Sequence, residues 1–161
     1  MEGFVLSAAQ QCDPSAEPEV GGLIPGTLLR PADVLTTALG HATTALDIGI
    51  CSPDAQHAGV DCADTMYLRK LAYYQPHLAA LERQNIDYLP IIWSSYGRPH
   101  PRAASVLRTL ANRIARRRGT ACAGAIYSHL HASITTEIWR RVARQVMTCR
   151  PGDATWWERT N

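Results

Sequence analysis

Thr44-Ala45-Leu46-Asp47-Ile48-Gly49-Ile50-Cys51 alternates apolar Leu46, Ile48 and Ile50 with Asp47, Gly49 and Cys51. A repeat of two places alternate side chains on opposite faces of a β-strand, so this segment predicts a strand with one apolar face and one face bearing a carboxylate. Upstream, Leu29–Leu35 is the first candidate strand, and a turn around Gly40 makes the two a hairpin. Downstream the repeat changes. Tyr67, Leu71, Tyr74, Leu78 and Leu81 mark one face of a helix within 63–83, interrupted at Pro76. Tyr88–Ser94 then reads as a buried strand through Leu89, Ile91, Ile92 and Trp93. Strand, helix and strand form a βαβ unit, whose right-handed crossover sets the two strands parallel.

The flanks complete a small α/β plan. Residues 1–28, rich in Gly and Pro with little periodicity, are expected to form an irregular lead-in. An α/β core over 29–100 ends in a loop carrying Gly97, Pro99 and Pro101. Residues 101–150 should be a helical extension of two helices. The first, 103–118, buries Val106 or Leu107, Leu110 and Ile114; the second, 124–149, carries Ile126, Leu130, Ile134, Ile138, Val142 and Val146 at steps of four. Pro151 and Gly152 open a tail, 151–161, holding Trp156 and Trp157.

The 161 residues are 46% hydrophobic and 19% charged, which is globular and argues against wholesale disorder. The net charge of +2 does not mark a nucleic-acid binder, but its distribution is uneven. Residues 1–65 hold nine carboxylates and one arginine, giving −8; residues 66–161 hold fifteen Arg or Lys and five carboxylates, giving +10. One half suits a cation and the other a polyanion. Lys70 is the only lysine. Five cysteines without a C-x-x-C pair speak against a zinc knuckle or disulfide framework and for a reducing compartment. No apolar run approaches a membrane span and the first ten residues lack signal-peptide features, so an intracellular location, nuclear or cytoplasmic, is expected.

A hairpin centred on Gly40 sets Asp33 opposite Asp47. Like charges at that spacing repel, and the usual relief is a cation between them or a proton shared by them. Two carboxylates with open water positions suit Mg²⁺, or Mn²⁺ in its place. The competing reading makes Asp33 a strand-end residue and turns Asp47 to solvent; a register slip of one residue would separate the acids onto opposite faces.

Leu29-Arg30-Pro31-Ala32-Asp33 and Ala45-Leu46-Asp47-Ile48-Gly49-Ile50, with thirteen residues between the two aspartates, resemble the PD-(D/E)xK nuclease superfamily. Within it, the sequence resembles the restriction-like endonuclease domain of non-LTR retrotransposons. Arg69-Lys70-Leu71-Ala72-Tyr73-Tyr74 resembles that domain's lysine-and-tyrosine helix, and Pro90-Ile91-Ile92-Trp93-Ser94-Ser95-Tyr96-Gly97 its following strand and loop. The resemblance spans about residues 29–100. It implies a restriction-endonuclease-like sheet and metal-dependent hydrolysis of DNA phosphodiesters. Asp33 and Asp47 would hold the ion, Lys70 would act beside them as the third catalytic residue, and Tyr73, Tyr74 and Ser94 would support it. It also implies the C-terminal part of a reverse-transcriptase-related open reading frame. The chain departs from the pattern by the inserted Ala32 and by Gly49, where many members carry their lysine.

Lys70 alternatively snorkels along its helix, covering the apolar face. Ser94, Ser95, Arg98 and His100 follow a parallel strand, where α/β folds bind ligands, or belong to a surface loop. His41 reads as a solvated loop residue. Residues 98–118 contain seven arginines and no acid; Arg98, Arg113 and Arg117 are candidates for contacting DNA, with RNA as the other polyanion. Three readings follow: an active endonuclease, a non-catalytic nucleic-acid-binding module, and an inert fragment of a retroelement reading frame.

Overall fold

The computed structural model describes residues 1–56 and 58–148. Helix α1 (Glu2–Gln10) leads into β1 (Glu17–Val20), β2 (Ala32–Thr36) and β3 (Thr43–Cys51). Helix α2 (Cys62–Tyr74), a 3₁₀ turn (Gln75–His77) and the short α3 (Leu78–Glu82) connect to β4 (Ile86–Ser94). Helices α4 (Pro101–Arg117) and α5 (Ala123–Thr148) follow. The sheet order is β1-β2-β3-β4, antiparallel except for the parallel β3–β4 pair, so the α/β plan holds with a mixed sheet.

The hairpin register follows from the strand alternation. Val34 pairs with Leu46, Leu35 with Ala45 and Thr36 with Thr44, which centres the hairpin on Gly40. On one sheet face Val34, Leu46, Ile91 and Trp93 meet α1, α4 and α5. On the other, Ala45, Ile86 and Leu35 meet Tyr74, Leu78 and Leu81. The result is three layers, with Asp47 and Gly49 facing α2 by the same alternation that buries Leu46 on the opposite side.

Local signals set the helix limits. The Asp61 side chain accepts hydrogen bonds from the Ala63 and Asp64 amides and so caps α2. Pro76 lies in the 3₁₀ turn, where the helical path breaks. His100 caps α4 through its side chain, followed by Pro101 in the first turn, and Gly119 at φ 63° ends the helix. Pro90 is compatible with β4 because β4 is an edge strand. Trp93 is fully buried, and its indole N–H finds no partner among the described residues.

Three expectations are corrected. Residues 1–28 are not an irregular lead-in: they contain α1 and β1, and Val5, Ala8 and Ala9 of α1 are wholly buried in the main core. The helical segment is not appended to the α/β core, because α4 buries Val106, Leu107, Leu110 and Ile114 against the sheet as part of that same core. In α5 the stripe of fours is buried at Leu130, Ile134 and Ile138 but ends before Val146, which is exposed. The expected end of that helix at Cys149 and the tail with Trp156 and Trp157 lie outside the described residues.

Candidate active site between β3 and α2

Asp47 lies mid-strand in β3 and is only 6% exposed. A charge so removed from water needs charged or hydrogen-bonding partners. Both its oxygens have one. Lys70 Nζ donates to Oδ1 at 2.5 Å, and the Tyr88 hydroxyl donates to Oδ2 at 2.5 Å. Lys70 therefore does not snorkel outward: its amine turns in toward the sheet, with the side chain 24% exposed.

Gly49 explains how the amine gets there. A Cβ at position 49 would lie 3.1 Å from Lys70 Cε and 2.7 Å from Ile92 Cδ1. The lysine stem thus passes over the one residue beside Asp47 that has no side chain.

Asp33 occupies β2, one step beyond the Val34–Leu46 pair, where the same register sets it against Asp47. Its Oδ2 accepts the Ile48 amide at 2.6 Å. Burial raises the Asp33 carboxyl to a pKa of about 6; the charges of Asp47 and Glu2 add to the rise, while the Ile48 amide and Lys70 oppose it. The expected repulsion between the acids is thus relieved from inside the chain by the Lys70 ammonium on Asp47.

The tyrosines divide unequally. Tyr74 is buried, its hydroxyl donates to the Arg30 carbonyl at 3.3 Å, and its ring packs on Tyr88 at 4.6 Å between centroids. Burial and then Asp47 push the Tyr74 phenol up to about 12. Tyr73 meets Tyr74 edge-on but is 61% exposed. Tyr88, which sequence reasoning passed over, is the tyrosine that touches Asp47; burial and that carboxylate strongly raise its pKa. Its signal was the alternation in β4, which puts Tyr88, Pro90 and Ile92 on one face, together with the parallel pairing of Asp47 with Pro90.

The remaining candidates do not converge on the acids. Ser94 is buried at the end of β4, and its Oγ accepts the Arg98 amide at 3.1 Å, closing the loop that follows. Arg98 is paired with Asp61, the α2 cap. Arg113 and Arg117 lie on α4, in the layer beyond the opposite sheet face, and donate to the carbonyls of Thr37 at 3.5 Å and Gln11 at 2.9 Å. His100 is buried, stacks on Tyr67 at 4.3 Å, accepts the Arg102 amide at Nδ1 and lies 3.4 Å from Asp64 through Nε2. His41 is exposed in the hairpin loop.

No group of three or more His, Cys, Asp or Glu side chains suited to a metal occurs among the described residues. The donor set at β2–β3 is two carboxylates, which suits an ion that retains most of its water, as Mg²⁺ does, rather than a zinc-type centre. No helix among the described residues is long and apolar enough to cross a membrane. Comparisons with known protein families, with curated proteins and with solved structures gave no match.

Proposed function

We propose that this chain is a retroelement-derived, restriction-endonuclease-like domain whose chemistry is metal-dependent hydrolysis of DNA phosphodiesters. The observation that carries the reading is the meeting of a helix-borne lysine with a strand aspartate across Gly49, on the sheet face that also holds Asp33. A Mg²⁺ or Mn²⁺ ion held by Asp33 and Asp47 supplies Lewis-acid polarisation of phosphate and a more acidic bound water. Asp33 and Asp47 orient that charge from neighbouring strands of a hydrogen-bonded sheet. Lys70, on the flank of α2, offers the cation that steadies charge on the scissile phosphate. Tyr88 holds the second oxygen of Asp47, and Tyr74 packs behind it and ties the site to the segment before β2.

The test is nicking of supercoiled plasmid with Mg²⁺ or Mn²⁺. Asp47→Ala and Lys70→Ala should each lower the rate by about 10²–10³-fold, the scale of losing one charge-stabilising group. Cleavage that survives both substitutions rules out this site.

A second reading, a non-catalytic nucleic-acid-binding module, is favoured by one observation: both oxygens of Asp47 are already engaged, by Lys70 and Tyr88. It predicts salt-dependent DNA affinity without cleavage, weakened by Arg113→Ala or Arg117→Ala.

A further inference from the structure

We infer that Lys70 is a tethered counter-ion, seated on Asp47 in the metal-free protein and released when a divalent cation enters. This rests on the reading of Asp33 and Asp47 as the ion-holding pair. Asp47 is almost closed off from solvent and its two oxygens are divided between an ammonium and a phenol. An incoming cation must share one of those oxygens. The two occupants differ in how easily they yield. Tyr88 is neutral, sits on the sheet and is held against Tyr74, so it tolerates a neighbouring cation. Lys70 carries the same sign as the ion, and its partly exposed side chain passes closely over Gly49. The lysine therefore leaves and the tyrosine stays.

The exchange gives the site its order of events. While Lys70 rests on Asp47, the amine is held toward that carboxylate and away from the rim of the site. Once an ion sits between the acids, the same amine is freed at the rim of the site, where the substrate's anionic group lies. Metal entry thus arms the lysine.

Two measurements on the full chain test this. In a Mn²⁺ titration read by electron paramagnetic resonance, Lys70→Met, which keeps an apolar stem, should bind Mn²⁺ about tenfold more tightly than wild type, since it removes a competing positive charge. Lys70→Arg should stay near wild type, and Asp47→Asn should lose the site. Affinity unchanged or weaker in Lys70→Met overturns the inference, as does binding that persists in Asp47→Asn. The second measurement needs no variant. Lys70 is the only lysine, so acylation by an amine-reactive ester, quantified on the peptide that carries it, reports this amine alone. Mn²⁺ should speed that acylation several-fold, and an unchanged or slower rate overturns the inference. Faster labelling without plasmid nicking would defeat the hydrolase reading alone. Nicking by wild type with no Mn²⁺ effect on labelling would defeat the counter-ion role alone.

Discussion

Lys70 and Asp47 meet through Nζ and Oδ1 at 2.5 Å, the only lysine of the chain joined to a strand aspartate that is 6% exposed. A buried pair of this kind contributes little over an apolar replacement, yet removing one partner strands the other. Lys70→Met and Asp47→Asn should each lower stability, the former by about 3 kcal/mol, and the double variant combining them should recover much of that loss. Urea denaturation of the four proteins gives the cycle, and additive effects would show that the pair is not coupled.

Gly49 should tolerate no side chain. Gly49→Ala places its methyl against Ile92 Cδ1 and Lys70 Cε. Relieving that overlap should cost about 1–3 kcal/mol and displace the lysine from Asp47. The denaturation midpoint reads the first effect and the plasmid assay the second.

Asp33 should make the protein less stable as pH rises. Its folded pKa is raised to about 6, above the unfolded value near 3.8. A raised folded pKa contributes stability that is fully present below the unfolded pKa and is lost as pH climbs through the folded one. Stability should therefore decline from about pH 4 to just above pH 6, and Asp33→Asn should flatten that stretch of the profile. Thermal denaturation across this range in chelator-treated buffer is the measurement.

Asp13 should behave in the opposite sense. It is 7% exposed and its oxygens accept from the Ser15 amide and hydroxyl, the Thr36 hydroxyl and the Thr37 amide. Although burial opposes ionisation, these bonds together hold its carboxyl far below the usual carboxylate range. A depressed folded pKa contributes stability above the unfolded value that is lost as pH falls toward the folded one, so this contribution survives neutral and mildly acidic conditions. Asp13→Ala should cost about 3 kcal/mol at pH 7, by leaving buried donors unmet. A loss below 1 kcal/mol would contradict that account.

The part of the fold that sequence reveals is the part with a strong period. Leu46, Ile48 and Ile50 announce β3, and Gly40 between two such strands fixes which residues face each other, so the opposition of Asp33 and Asp47 follows from a count along the chain. The helix carrying Lys70 and the parallel strand after it are legible in the same way. The N-terminal elements are not. Helix α1 buries mostly small residues, Val5, Ala8 and Ala9, and β1 reads Glu-Pro-Glu-Val with no apolar alternation, so neither announces itself. Tyr88 was hidden for another reason. Its partner is fixed by the stagger of a parallel pair joined through a long crossover, and no local spacing encodes that stagger. Composition counts the arginines of α4 without saying which side of the sheet carries them, and Arg113 and Arg117 belong to the layer opposite the acids.

Both outer margins of the sheet are guarded. On one side β1 offers Glu17, Pro18 and Glu19, with Glu19 at φ 47° bending the strand out of line. On the other, Pro90 withholds an amide, and the returning chain covers the end of β4, the His100 amide donating to the Ile92 carbonyl and the Ser94 amide to the Arg98 carbonyl, each at 2.8 Å. Charge, proline and a folded-back segment are the devices by which proteins refuse a foreign strand. Among the described residues the sheet has four strands, and both guarded margins work against addition of a further strand beside the largely apolar, largely buried β4.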